Sequence, residues 1–314
     1  MLAPRENLKL VGHHEERDDF LRTFHSYRFP HGWIVAGPCG IGKATFVFHM
    51  ARYILSGRQD KNTSFSAKDP LYRRIVAQSH GDLWTLGGED AREIDVDSVR
   101  KLNGFLNQTT VEGGWRVVVI DGANRLNRNA ANALLKRLEE PPPKTVFFLI
   151  TAFPGHLLPT IRSRCQTLSL KPLNEEEVKE ALQFQDLSLP DFFSISQGSP
   201  GRLIRLMEGE GPQIYKELQK ILEGEGAATS FVHDYGKEEA SYTLVEDLLR
   251  NFLHHHLLEK IKGKASFFKD YSLEKTLVIQ GKIEGLFDQC RFAQLDRKAT
   301  LTCVFANLQN RNAS

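Results

Sequence analysis

A glycine-rich segment near the start of the chain has the residue types and spacing of a phosphate-binding loop. Residues 37–43 read GPCGIGK and match the pattern GxxxxGK. In such a loop the glycines let backbone N–H groups turn toward phosphate oxygens, and the lysine reaches the outer phosphates. The segment therefore predicts a site for ATP or ADP, built from Gly37, Gly40, Gly42 and Lys43.

The residue after the loop lysine departs from the usual pattern. Phosphate-binding loops place Ser or Thr there, and its hydroxyl binds magnesium. This chain has Ala44 instead, and the side chain of Thr45 is turned about 100° further round the helix. The magnesium geometry is therefore damaged, and we expect Mg²⁺ only if nucleotide binds. Two interpretations stay open: a loop that binds nucleotide, and a loop that keeps its shape without nucleotide.

A second apolar segment ends in an acid. Residues 117–121 read VVVID, which places Asp121 where it can hold magnesium directly or through water. In ATPases of this kind the next residue is normally Glu, which polarises the attacking water, but here it is Gly122. General-base catalysis then has no obvious agent. We expect little or no ATP hydrolysis by this chain.

Short apolar segments alternating with helical ones must position these residues. A continuous apolar segment predicts a strand buried on both faces, and strands alternating with helices predict a parallel sheet. The fold class predicted is therefore α/β. The predicted strands cover residues 32–36, 115–120 and 145–151, and the predicted helices cover 43–56 and 129–140.

The pattern changes after Leu170, where strand signals nearly vanish. Acids at 175–177 fall in the first turn of a predicted helix, where the helix dipole favours them. We predict a small helical domain over 171–208, a linker at 209–213 and a second helical region over 214–314.

Composition and charge exclude several classes of protein. The chain has 314 residues, 41% hydrophobic and 25% charged, which is typical of two or three globular domains. Basic residues exceed acidic ones by 41 − 39 = 2, so any DNA contact needs a local patch or partner subunits. The amino terminus lacks the apolar core of a signal peptide, and no apolar run approaches the ~18 residues of a membrane helix. We expect a cytoplasmic protein with no membrane partner.

The four cysteines are dispersed along the chain. None of them forms a CxxC pair, so the sequence predicts free thiols in a reducing compartment and no zinc site. They are Cys39, Cys165, Cys290 and Cys303.

Several ordered motifs together carry a family resemblance. Residues 127–143 read NRNAANALLKRLEEPPP, residues 159–165 read PTIRSRC, and residues 198–202 read GSPGR. With the Val-Gly-His segment at 11–13 and the glycine-rich loop, they span roughly residues 11–208. Over this range the chain resembles the AAA+ clamp-loader subunits of bacterial DNA polymerase III.

Within that family the chain is similar to the delta-prime branch and departs from the motor subunits tau and gamma. Motor subunits keep the hydroxyl after the loop lysine and the acid after the second motif, where this chain has Ala44 and Gly122. Motor subunits also usually carry a four-cysteine zinc module between the two motifs. Residues 44–120 contain no cysteine, so this chain has no such module. Some delta-prime relatives also carry the module, so its absence does not by itself separate the two branches.

The resemblance implies roles for three residues outside the loop. Arg164, in the SRC motif, matches the arginine finger that reaches ATP bound by the neighbouring subunit. Arg162 nearby is the alternative candidate for this role. Thr151 lies in the region of sensor 1, which contacts the γ-phosphate in active relatives. Arg202 resembles sensor 2, which reports nucleotide from the helical lid.

The resemblance also implies an architecture and partners. We expect an AAA+ module over 1–170, a helical lid over 171–208 and a helical collar over 214–314. The expected partners are the tau and gamma motor subunits and the delta subunit, with primed DNA in the assembled complex and the sliding clamp mainly indirectly. An ATP-hydrolysing motor subunit or other P-loop ATPase, and a nucleotide-binding adaptor outside replication, remain as alternatives.

Overall fold

The computed structural model divides the chain into two units. One comprises residues 1–188 with 198–201, and the other comprises 189–197 with 202–314. The predicted boundaries at 170 and 208 remain a prediction, and residues 188–195 of the predicted lid lie outside the described residues. The structure describes residues 2–60, 62–88, 93–185, 187, 196–264, 266–268, 271–293 and 295–309.

A five-stranded parallel sheet forms the centre of the first unit. The strand order is β2-β3-β4-β1-β5, and each neighbouring pair is parallel. This confirms the predicted α/β class. Three of the strands coincide within one residue with the predicted ones, whereas β2 and β5 were not predicted. The strands are β1 (Gly32–Ala36), β2 (Leu83–Gly87), β3 (Arg116–Asp121), β4 (Thr145–Thr151) and β5 (Gln166–Ser169).

Burial explains which strands the sequence reveals. Strands β1 and β4 are buried at every position, and β3 is buried at every position but its last, so each reads as a continuous apolar run. Strand β2 is mostly half-buried and strand β5 is mostly exposed, and the sequences LWTLG and QTLS of these two edge strands mix polar with apolar residues. No continuous run therefore marks them.

Helices cover both faces of the sheet. On one face the apolar strand residues pack with α1 and α2, and on the other with α4, α5 and α6, so that successive strand residues enter opposite cores. The helices before residue 200 are α1 (His14–Phe24), α2 (Lys43–Leu55), α3 (Pro70–Val76), α4 (Val96–Leu106), α5 (Arg128–Glu139), α6 (Pro159–Arg162) and α7 (Glu175–Gln183).

The later part of the chain is helical where it is described. The predicted linker at 209–213 is wrong in part, because residues 211–213 form the first turn of a helix. Pro212 fits this turn, since a proline near a helix start gives up no intrahelical hydrogen bond. The helices are α8 (Pro200–Met207), α9 (Gly211–Glu223), α10 (Ala228–Tyr235), α11 (Glu239–Ile261), α12 (Leu273–Ala293) and α13 (Arg297–Gln309).

The helices can be compared with the length and hydropathy that a membrane-spanning helix needs. Among the described residues, no helix combines the length and hydropathy needed to cross a bilayer.

We expect Leu134→Ala to destabilise the first unit by about 2–5 kcal/mol, because Leu134 of α5 is fully buried in the core beneath the sheet. Urea unfolding measures the change. The matched control is Lys136→Ala on the exposed side of the same helix. Equal, small effects of both variants would contradict the packing of α5 described above.

Candidate functional site

The glycine-rich loop lies where the sequence predicts it, between β1 and α2. Gly40 and Gly42 have φ of +80° and +98°, a backbone region that glycine enters without strain. Lys43 is the first residue of α2, and its ammonium donates to the carbonyl oxygens of Gly37 at 2.9 Å and Pro38 at 2.7 Å. The lysine charge therefore lies against carbonyls of its own loop.

Other parts of the first unit also bond to this loop. The N–H of Gly201 donates to the carbonyl oxygen of Gly40 at 2.9 Å, and a Cβ on Gly201 would lie only 3.1 Å from the Gly40 Cα. On the other side, a ring nitrogen of the buried His13 donates to the carbonyl oxygen of Ile41 at 2.9 Å. The loop is thus tied to segments far from it in sequence.

The residues that follow Lys43 do not present a hydroxyl as a standard loop does. Ala44 packs against the apolar core beside α2. Thr45 Oγ1 accepts a long hydrogen bond, 3.4 Å, from the side-chain amide of Asn7. The damage to the magnesium geometry that we expect from the sequence stays a prediction.

Asp121 ends β3 at the same edge of the sheet as the loop, because all five strands are parallel. The next residue, Gly122, has φ +79°, and a Cβ there would lie 2.1 Å from Nη2 of Arg125. That guanidinium donates to the carbonyl oxygens of Gly88 at 2.5 Å and Asp121 at 3.2 Å. A cation therefore covers the position where related ATPases carry their catalytic acid.

Thr151, at the end of β4, is buried at the same edge. Its hydroxyl donates to Oδ1 of Asn124 at 3.1 Å and accepts from the N–H of Phe153 at 3.0 Å. The hydroxyl proton and one acceptor position of Thr151 are thus used by neighbouring residues of the chain.

Arg164 lies at the opposite edge of the sheet. It is two residues before β5, whose Gln166 pairs with Trp33 near the start of β1. The four steps between the five residues of β1, at about 3.3 Å each, separate its two ends by about 13 Å. The sheet therefore places the loop and Arg164 on different edges, and Arg164 does not join the loop site of its own chain.

The backbone at Arg164 is closely packed. A Cβ on Gly32 would lie 3.2 Å from the carbonyl oxygen of Arg164 and 2.7 Å from Sγ of Cys165. Burial raises the pKa of the Cys165 thiol to about 12, so this side chain is neutral and serves as packing.

Arg202 falls in the second unit. Its Nη1 donates to the carbonyl oxygen of Ser196 at 3.5 Å, a contact within that unit. Its predicted role as sensor 2 stays a prediction.

Two residues that contact these positions were not found from the sequence. Arg125 is three residues after Gly122 in the segment GANR, which carries no signal of its own. Glu139 of α5 forms an ion pair with Arg164, with 2.7 Å between Oε1 and Nη2, and nothing in LEEPPP indicates that pairing. Both contacts depend on the tertiary fold.

The fold has a counterpart among solved structures. A DNA polymerase III gamma subunit-related protein from Thermotoga maritima superposes with a TM-score of 0.51, covering 94% of this chain and 99% of that one at 18% sequence identity. The loop after β1, the acid after β3 and the strand order place the chain in the AAA+ class of P-loop proteins, with a clamp-loader type of fold.

Sequence comparison is more specific. The family model described as DNA polymerase III, delta subunit, matches residues 12–174, which is more than half of the chain. DNA polymerase III subunit delta' of Pseudomonas aeruginosa is 35% identical over 219 residues, and that of Escherichia coli K12 is 34% identical over 215. These alignments cover 65% and 66% of this chain, and 65% and 64% of the two relatives. The chain belongs to this DNA polymerase III family.

We expect Gly122→Ala to destabilise the protein more than Gly113→Ala. Both glycines have a left-handed φ, +79° and +69°, so both alanines cost about 1–2 kcal/mol of backbone strain. Only the alanine at 122 also displaces the Arg125 guanidinium from its carbonyl partners, which adds about 1–2 kcal/mol, whereas the space at Gly113 is open. Urea unfolding of both variants measures the difference, and equal losses would refute the covering role of Arg125.

Proposed function

We propose that this chain is a delta-prime subunit of the bacterial DNA polymerase III clamp loader. It does not hydrolyse ATP itself, and it supplies Arg164 in trans to ATP bound by a neighbouring motor subunit. Its partners are the tau and gamma motor subunits and the delta subunit, in the bacterial cytoplasm. In the assembled complex it serves primed DNA and, mainly indirectly, the sliding clamp.

One observation carries the proposal of a role in trans. Arg164 lies at the amino edge of a parallel sheet whose carboxyl edge holds the loop, Asp121 and Thr151. The length of β1, about 13 Å, lies between Arg164 and its own loop, and this is further than an arginine side chain extends. If this residue acts on a triphosphate, that triphosphate belongs to another subunit.

The chemistry expected of Arg164 is electrostatic. A guanidinium beside the γ-phosphate stabilises the charge that develops in the transition state, and in related enzymes this accelerates hydrolysis by about 10³–10⁵-fold. The arginine needs no other catalytic group from its own chain, only a fixed position at the subunit boundary.

The residues around the loop do not fit hydrolysis of Mg²⁺–ATP by this chain. Position 44 carries no hydroxyl for the metal, and Gly122 carries no carboxylate to polarise water. The Arg125 guanidinium covers Gly122 and would sit close to any acid placed there. Whether ATP or ADP binds without hydrolysis is a separate question, on which Lys43 and Asp121 are the residues to test.

We expect the purified chain to release phosphate from ATP no faster than its Lys43→Ala variant. The chain has no acid at position 122 to polarise the attacking water, so we expect no ATP hydrolysis that removal of the lysine could abolish. Steady-state phosphate release measures the rate. Turnover comparable with that of motor subunits, lost on Lys43→Ala, would favour the alternative of an ATP-hydrolysing subunit.

We expect Arg164→Ala to slow hydrolysis at the interface that this chain completes by about 10³-fold or more, without unfolding the chain. Single-turnover hydrolysis and clamp loading by the complex reconstituted with motor and delta subunits measure the effect. Arg162→Ala is the matched control, since Arg162 is an exposed arginine of the same short helix. A defect in the Arg162 variant alone would move the finger to that residue, and unchanged hydrolysis in both would refute the role in trans.

A further inference from the structure

Arg164 is paired with a carboxylate that no motif assigns. Nη2 of Arg164 lies 2.7 Å from Oε1 of Glu139, and the two side chains are 35% and 47% exposed. We propose that Glu139 is a positioning residue for Arg164, which biases the guanidinium toward one orientation at the subunit boundary. The proposal rests on the role of Arg164 in trans given above, and it deepens that role.

Two further contacts define the plane of the guanidinium. Nη1 donates to the carbonyl oxygen of Thr160 at 3.0 Å and to the hydroxyl of Ser163 at 3.4 Å. Glu139 adds the contact from a second helix, α5, on the Nη2 side. None of the residues that the structure describes accepts a hydrogen bond from Nε. The edge of the guanidinium that carries Nε–H remains available to an external oxygen acceptor while the other side is held.

The two partners are anchored at the same place. The ring of His31 donates to the carbonyl oxygen of Leu138, next to Glu139, at 2.8 Å. The neighbouring Gly32 lies directly against the backbone carbonyl of Arg164. His31 just before β1 and Gly32 at its start thus contact the backbone at the end of α5 and in the SRC segment, so the sheet holds the backbones of both partners near each other.

Apolar packing strengthens this arrangement. Leu138 of α5 and Ile161 of α6 are both about 1% exposed and belong to the same buried cluster. Close-packed side chains permit little relative movement of the two helices. The Glu139–Arg164 distance therefore does not depend on the ion pair alone.

Glu139 lies at the C-terminal end of a helix, where its negative charge is unfavourable without a positively charged partner. It is the last residue of α5, which ends where three prolines follow Glu140. A carboxylate at a helix C-terminus faces the negative end of the helix dipole, which disfavours it. The guanidinium of Arg164 supplies the positive charge that offsets this repulsion.

We expect removal of the Glu139 carboxylate to have a modest effect on the rate of ATP hydrolysis. An ion pair exposed to this degree has a small coupling energy, so it biases the arginine conformation without locking it. We expect Glu139→Ala to lower kcat of the reconstituted complex by about 2- to 5-fold with KM unchanged, because a finger acts in the transition state. Glu139→Gln keeps an oxygen acceptor and should recover part of the loss.

The test is a double-mutant cycle in the complex of this full chain with the motor and delta subunits. The variants are Glu139→Ala, Arg164→Ala and the double variant, with Glu140→Ala as the control for loss of an exposed acid at the same helix end. We expect Glu139→Ala to slow hydrolysis when Arg164 is present and to have no effect when Arg164 is already alanine. The control should match the unchanged chain.

Each other outcome has a distinct meaning. If Arg164→Ala abolishes the acceleration but Glu139→Ala changes nothing, the positioning role is wrong and the role in trans stands. If Glu139→Ala raises kcat, the carboxylate restrains the finger instead of presenting it, which overturns the proposal. An equal loss in both backgrounds places the effect of Glu139 elsewhere and also overturns it. If Arg164→Ala has no effect, the proposed function itself fails.

Discussion

The parallel alignment of the five strands is the constraint on which the rest of this structure depends. Because every strand runs in the same direction, all their carboxyl ends lie at one edge and all their amino ends at the other. The loop, Asp121 and Thr151 follow strands and share the carboxyl edge. Arg164 precedes a strand and lies at the amino edge. Strand β1, an interior strand hydrogen-bonded to both β4 and β5, runs between the two edges and is buried along its whole length.

At the carboxyl edge, groups that could meet a nucleotide are used in contacts within the chain. The Lys43 ammonium lies on two loop carbonyls, Gly201 and His13 donate to two others, and the Thr151 hydroxyl is paired with Asn124. Such contacts explain how a glycine-rich loop can retain its shape when hydrolytic residues are absent. The loop joins β1, α2 and the segment at Gly201, which is a structural task independent of catalysis.

The sequence alone predicted the buried parts of the fold well. Strand β4 and helix α5 coincide with the predicted segments within one residue, because continuous apolar runs and helical spacing are local signals. The edge strands β2 and β5 escaped prediction since their mixed composition comes from partial exposure. The sequence predicts a linker at the first turn of α9 because glycine and proline are also common outside helices.

The residues of the candidate site likewise include some that the sequence could locate and others that it could not. Motif positions such as Lys43, Asp121 and Arg164 could be located from spacing and resemblance, because each motif is contiguous in sequence. The residues that contact these motif positions could not be located from the sequence. Arg125 covers Gly122 only through a left-handed turn, and Glu139 meets Arg164 only because α5 and α6 pack on a common cluster. Local sequence patterns carry no information about the direction of a side chain within a turn or about a pairing between two distant segments.

The separation of the two edges has a consequence for the proposed function. Hydrolysis requires a metal ligand, an acid and a phosphate cradle at the carboxyl edge, and changes such as Ala44 and Gly122 remove parts of that set. A finger requires only that one guanidinium be positioned at the amino edge, where Gly32 lies against the backbone of Arg164 and Glu139 pairs with its side chain. Because none of the contacts named above joins the two edges, the first set can be lost while the second keeps its geometry. A chain of this fold can thus cease to be a motor and still complete the active site of its neighbour.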